Sequence, residues 1–153
     1  MAERDAKQYL VAQENDAECS ALQQKITDVA AFNENIVVEF FKSVGVRLLT
    51  QDDTTALQTA ESGRALLTPD ILFQEEVTVN AKRVYWLDYK DYVGSDISFL
   101  YKSNAAQADK YKVKWGDGVL CYGKGFVEGL AIPGAVLMDA REITPRLDLV
   151  ACI

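Results

Sequence analysis

The chain contains no histidine. That absence excludes His-dependent catalytic triads, His-ligated zinc hydrolase sites and His general bases. Cysteine is scarce as well. Cys19, Cys121 and Cys152 are odd in number and widely separated, a pattern that argues against both a disulfide framework and a zinc site. No apolar run approaches the ~18 residues of a membrane span. The opening Met-Ala-Glu-Arg-Asp lacks a signal-peptide pattern, so the expectation is an intracellular protein with no membrane association, nuclear or cytoplasmic in a eukaryotic cell. Internal repeats, low-complexity tracts and interdomain linkers are absent too.

What remains is globular in character. With 153 residues and 49% of them hydrophobic, the chain can bury a single core. Its net charge of −7 is awkward for a phosphate-binding protein, but the charge is unevenly spread. Residues 101–124 hold Lys102, Lys110, Lys112, Lys114 and Lys124 against Asp109 and Asp117, a local balance of +3 that leaves −10 on the remainder. Such a patch can meet a nucleic-acid backbone while the rest repels it. A solvated helix face accounts for the same lysines equally well.

The densest signal runs from Thr68 to Lys90. Val, Ile, Phe, Tyr and Trp crowd both sides of Asn80-Ala81, which predicts a β-hairpin with strands at residues 70–78 and 82–90. Residues i and i+2 share a strand face, so Asp88 and Lys90 point the same way. The register decides whether Asp70 joins them. A two-residue turn at Asn80-Ala81 pairs Val79 with Lys82 and sends Asp70 to the opposite face. A three-residue turn or one bulge pairs Thr78 with Lys82 and sets Asp70 beside Lys90, and this second arrangement is the expectation. Two carboxylates and a lysine at one end of a sheet suit divalent-metal phosphodiester chemistry, because Mg²⁺ takes oxygen ligands and acidifies a bound water that a lysine can orient. A hairpin with exposed charges at its ends is the alternative.

Upstream, residues 3–30 are polar with apolar positions at Leu22, Ile26, Val29 and Ala30, the 3.6-residue period of an amphipathic helix, and the patch at residues 14–16 is a candidate break. Residues 32–44 form a second helix ended by Gly45, with a buried stripe at Val37, Val38, Phe41 and Val44. Glu34 lies three and four residues before the first two of these, on the inward face, whereas Glu39 lies far around the axis. An inward acid needs a partner. Either a metal shared with the hairpin carboxylates or the helix dipole serves.

The other expected elements are a short strand at 46–49, a small helix at 52–62 stopped by Gly63, a loop with a turn at Gly94-Ser95-Asp96, a helix at 98–115, and strands at 119–122 and 135–139. The apolar segment 147–153 is expected to dock on the core. The fold class is therefore α/β, a mixed central sheet flanked by helices. Residues 1–31 form an N-terminal helical extension packed on a single globular unit at 32–153.

Glu on the first helix, Pro69-Asp70 before the second strand, Asp88-Tyr89-Lys90 closing the third and Gln107-Ala108-Asp109-Lys110-Tyr111 on the next helix together resemble the PD-(D/E)xK nuclease superfamily, the last being similar to the QxxxY motif of its RecB-like branch. The strings Thr68-Pro69-Asp70-Ile71-Leu72-Phe73-Gln74, Trp86-Leu87-Asp88-Tyr89-Lys90 and Tyr122-Gly123-Lys124-Gly125-Phe126 are similar to the TPD-motif family, that of the codanin-interacting nucleases. Asp88 stands where that family usually has Glu. The first-helix acid falls on Glu34 with one residue gapped and on Asn35 without the gap, and the inward-face argument favours Glu34.

The resemblance implies a restriction-endonuclease-like αβββαβ core and a Mg²⁺- or Mn²⁺-dependent deoxyribonuclease of little sequence specificity. Branched or single-stranded DNA is among its implied substrates, and a codanin-like protein its implied partner. It assigns Glu34, Asp70, Asp88 and the Tyr89 carbonyl to the metal, and Lys90 to the attacking water. Gln107 and Tyr111 fall beside the scissile phosphate, and Lys102, Lys110, Lys112, Lys114 and Lys124 on the strand. A catalytically weak or inactive nuclease fold, used as an interaction module by a larger partner, is the competing expectation.

Overall fold

A computed structural model of the chain describes residues 3–143, so the expected docking of segment 147–153 lies outside the described residues. The chain divides into two compact units, Met1–Phe32 and Asn33–Ile153. Helix α1 spans Glu3–Ser43 without interruption. This corrects the expectation of a break at residues 14–16 and of a separate helix beginning at Phe32. Residues 3–43 contain neither glycine nor proline and are rich in Ala, Glu, Gln and Lys, all strong helix formers. A cluster of acids changes which face is polar but leaves the backbone hydrogen bonds intact. Gly45, at φ +85°, supplies the stop. Within the first unit Leu22, Ile26 and Val29 are exposed.

The second unit continues through β1 (Leu48–Thr50), α2 (Gln51–Ser62), β2 (Ile71–Val79), β3 (Lys82–Lys90), α3 (Ser98–Trp115), β4 (Gly118–Tyr122) and β5 (Ala135–Asp139). The strands form one sheet in the order β1-β2-β3-β4-β5. β1, β2 and β3 pair antiparallel, and β3, β4 and β5 pair parallel. The architecture is mixed α/β, with a five-stranded mixed sheet flanked by helices. α2 starts with a capping box, in which Thr50 accepts from the Asp53 amide while the Asp53 side chain accepts from the Thr50 amide. It ends on Gly63 at φ +82°. Among the described residues no helix is long and apolar enough to cross a membrane.

Side-chain alternation along the strands builds two cores. Val37, Val38 and Phe41 of α1 pack with Ile71, Leu87 and Val119. Ala108 and Tyr111 of α3 pack with Trp86, Leu120 and Tyr122. Ile71, Trp86, Leu87, Val119, Leu120 and Tyr122 are completely buried, and each contributes roughly 1.5–3 kcal/mol through the apolar surface it removes from water. Val44, expected in the buried stripe, is 57% exposed. It lies past the last helical residue, where the 3.6-residue period no longer sets its direction.

The hairpin register departs from the expected one, and the departure shapes the site. Val79 pairs with Lys82 across a two-residue turn, and Asn80 and Ala81 both adopt left-handed backbone at φ 50° and 63°. Such a turn matches the strand twist. The expected pairing of Thr78 with Lys82, and the placement of Asp70 beside Lys90, are therefore corrected. Farther along, Leu72 pairs with Trp86 whereas Val77 pairs with Val84. Five residues of β2 thus run against two of β3. The offset is odd, so it exchanges the faces. Tyr85 explains why: its amide donates to the Asp117 carbonyl at 2.8 Å. Val84 accordingly sits in the core of α1, while Trp86, two residues on, sits in that of α3. One step beyond the pair Ile71–Leu87, this register sets Asp70 opposite Asp88.

Candidate active site

Asp70 and Asp88 are 8% and 5% exposed. The buried Pro69 feeds the chain directly into Asp70, whose Oδ2 accepts the Tyr89 amide at 2.6 Å. Glu34 arrives from α1, three residues before Val37 anchors that helix in its core, and hydrogen-bonds Asp70. Asn35, the other candidate for this position, is exposed.

Three acids with little water around them cannot all ionise cheaply. Burial first, then the charges of Asp88 and Glu34, push the Asp70 carboxyl up to about 8. Burial also raises Glu34, with Asp88 and Asp52 adding to it and the hydrogen bond from Asp70 opposing. Without a cation, one proton therefore sits between the two, held by Asp70 and donated to Glu34.

Asp88 is matched differently. Its Oδ2 lies 2.7 Å from Lys90 Nζ, and both side chains are largely buried. Lys90 Nζ also donates to Gln107 Oε1 at 2.6 Å, and Gln107 Nε2 donates to Tyr111 Oη at 3.3 Å. Gln107 and Tyr111 are four apart on α3 and so share a face. Burial, followed by the nearby Asp88, holds Tyr111 well above the usual phenol range, as a neutral phenol. The result is a relay from Asp88 through Lys90 and Gln107 to Tyr111, set against the Glu34–Asp70 pair.

Two residues that the sequence reading did not single out brace this arrangement. Asp91 Oδ1 accepts from Tyr89 Oη at 2.6 Å and from Asn33 Nδ2 at 3.2 Å. It thus ties β3 to the turn of α1 that carries Glu34. The Tyr89 side chain also explains Gly123, where a Cβ would come within 2.1 Å of the phenolic oxygen. The available signal was adjacency alone: Asn33 precedes Glu34, and Asp91 follows Lys90.

The lysines are dispersed. Lys112 pairs with Asp117 at 3.6 Å, sharing it with Lys82, and Lys114 lies 4.9 Å over the Trp115 ring. Lys102, Lys110 and Lys124 are exposed, and among the described residues they form no ion pair. Lys110 lines a groove that opens beside Lys90 and Tyr111.

Glu34, Asp70 and Asp88 offer only carboxylate oxygens, the donors a hard divalent cation prefers. Among the described residues no three acidic or sulfur side chains stand as a ready-made metal cage. The hydrogen bond between Glu34 and Asp70, and the ion pair of Asp88 with Lys90, occupy the oxygens a cation would need.

Comparison with known proteins gives a family. Residues 1–141 match the family model described as "Protein of unknown function TPD sequence-motif". The chain is similar to "Uncharacterized protein L539" of Acanthamoeba polyphaga mimivirus, at 25% identity over 109 residues, which are 69% of this chain and 38% of that protein. It thus spans well under half the length of that relative. No solved structure matches.

Proposed function

The chain belongs to the TPD sequence-motif family, and on that premise we propose that it is a divalent-metal-dependent nuclease with a PD-(D/E)xK core, hydrolysing DNA phosphodiester bonds with little sequence specificity. The observation that carries the reading is the meeting of Glu34, Asp70 and Asp88 from a helix and two strands, with Lys90 held between Asp88 and Gln107. The order α1, β1, β2, β3, α3, β4, with α2 inserted after β1, supports the αβββαβ frame of that superfamily.

The donor set fits Mg²⁺ or Mn²⁺ in kind. Asp70 and Asp88 would hold the ion, Glu34 and the Tyr89 carbonyl would complete its protein ligands, and the proton between Glu34 and Asp70 would leave. When bound, the ion supplies a Lewis acid at the phosphoryl oxygen and an acidified water. Lys90 is positioned to orient that water and to oppose the charge that builds on phosphorus-bound oxygens. Gln107 fixes the Lys90 ammonium, and Tyr111, whose hydroxyl accepts from Gln107 Nε2, fixes Gln107. Lys102, Lys110 and Lys124 are free to meet flanking phosphates. Buried walls around Asp70 and Asp88 keep bulk water from screening these charges.

The test is incubation of the protein with supercoiled, single-stranded and branched DNA in Mg²⁺ or Mn²⁺, beside Asp70→Asn and Lys90→Ala. Metal-dependent cleavage lost in both variants is expected. Cleavage that survives both overturns the assignment.

A second reading is an interaction module bound to a larger, codanin-like partner. The exposed Leu22, Ile26 and Val29 of α1 and the −7 net charge favour it. It predicts no cleavage, together with complex formation lost on Leu22→Asp.

A further inference from the structure

We propose that the groove beside Lys90 is a subsite for one unpaired nucleotide adjoining the cleaved bond. This rests on the nuclease reading and narrows its substrates to strands that are single-stranded at the cut. The groove, open to solvent on one side, offers about 390 Å³, near the small end of the ~300–1,000 Å³ typical of ligand sites. A base and its sugar fit such a volume. A base still paired and stacked in a duplex cannot enter the groove without first leaving the stack.

The walls are built for such an occupant. Lys90, Gln107 and Tyr111 line the groove at the reactive end, so it is continuous with the carboxylate cluster. α3 contributes Ser103, Ala106, Gln107 and Lys110, spaced as one helix face, and the first two are small enough to leave the space open. Leu66 and Leu67 complete the lining. Leu66 is 66% exposed, yet its backbone is pinned. The buried Gln58 of α2 accepts from the Leu66 and Leu67 amides at 2.9 and 3.1 Å and donates to the Leu67 carbonyl. A buried glutamine thus spends both ends of its amide on holding the backbone of the exposed Leu66 and the partly buried Leu67, just before Pro69-Asp70, at the groove.

An apolar lining of Leu66, Leu67 and Ala106 suits the face of a nucleobase, and it does so without reading sequence, because every base has an apolar face. Ser103 offers a hydroxyl to the sugar or base edge. Lys110 stands one helical turn beyond Ala106, placed for the next phosphate along the strand.

The experiment uses fluorescence anisotropy in Ca²⁺ with a labelled thymidine oligonucleotide, alone and annealed to its adenine complement. The proteins are the wild type, Ala106→Trp, which fills the groove from an exposed helix position, and Val113→Ala on α3 as a control outside the groove. Cleavage of both DNAs in Mg²⁺ is followed in parallel. The expected result is tighter binding of the single strand than of the duplex, and a loss of about tenfold in single-strand affinity for Ala106→Trp, the effect of removing one base contact, with Val113→Ala unchanged. Equal affinity for both DNAs, or a Trp variant that binds the single strand like the wild type, overturns the subsite. If the wild type cleaves while that happens, the nuclease reading survives alone. If single-strand binding is lost in Ala106→Trp but nothing is cleaved, the groove binds an unpaired nucleotide, and the nuclease reading, with the cleaved bond placed beside it, falls. Circular dichroism of the Trp variant separates loss of binding from loss of fold: an unfolded variant is replaced by Ser103→Phe on the same wall, read by the same criteria.

Discussion

Replacing Asp70 by Asn in the metal-free protein is expected to stabilise it, in a pH-dependent way. Asn matches the protonated acid in shape, keeps an oxygen for the Tyr89 amide and an N–H for Glu34, and never ionises. In the folded wild type Asp70 titrates at about 8, against 3.8 ordinarily. Between these values the folded protein keeps a proton that the unfolded chain has released. Stability therefore falls as pH rises from about 4 to about 8, and is flat below and above that window. A difference of this size corresponds to at most roughly 5–6 kcal/mol. Sharing of the proton with Glu34 and an effective dielectric nearer 20 than 4 argue for about 2 kcal/mol. For a chain of this size that is a rise of about 4–8 °C in Tm. Thermal unfolding by circular dichroism in EDTA, at pH 4, 6 and 8, measures it. The Asn variant should match the wild type at pH 4 and exceed it at pH 8. A variant less stable than the wild type at pH 8, or a difference that ignores pH, would refute the crowded-carboxylate account.

Three further outcomes follow from the same geometry. Lys90→Ala should lower kcat for DNA cleavage by about a hundredfold or more, and it should also lower Tm in EDTA because Asp88 loses its buried partner. Gly118→Ala would bring a Cβ within 2.1 Å of the fully buried Trp86 ring and should cost about 3 kcal/mol in urea unfolding; a neutral result would show that the sheet yields there. Asn104 accepts from Tyr92 Oη and donates to Tyr122 Oη, both at 2.9 Å, so Asn104→Ala should cost about 2–3 kcal/mol by the same measurement.

Much of the frame is legible in composition because it is encoded locally. α3 begins and ends at Ser98 and Trp115, the two bounds read from its apolar spacing and from Gly116. β3 likewise coincides with a run of β-branched and aromatic residues, and β5 with the apolar run that follows the Pro133-Gly134 turn. The register of β2 on β3 was not legible, since two opposing signals set it. Asn80-Ala81 fixes the pairs near the turn, and the Asp117 carbonyl, more than 30 residues downstream of Tyr85, diverts the strand amide that would have carried the same register onward. No pattern within the hairpin announces that distant acceptor. The continuity of α1 was obscured by reading polarity as a break, although only the backbone can break a helix. For the site, Asp70, Asp88 and Lys90 stood out by their spacing. Asn33 and Asp91 did not, because their role is to hold one another and Tyr89. The wall at Leu66 and Leu67 depends on Gln58, an unremarkable glutamine in a polar helix until its amide is seen facing the backbone.

The most direct test of the central claim, that Glu34, Asp70 and Asp88 converge on the place of one divalent cation, is a calorimetric titration with Mn²⁺ at pH 7 in two buffers of different ionisation enthalpy. The account predicts binding with release of about one proton, the one held by Asp70, and loss of both signals in Asp70→Asn. Absence of binding at millimolar Mn²⁺, or heats that are the same in both buffers and in the Asn variant, would contradict it.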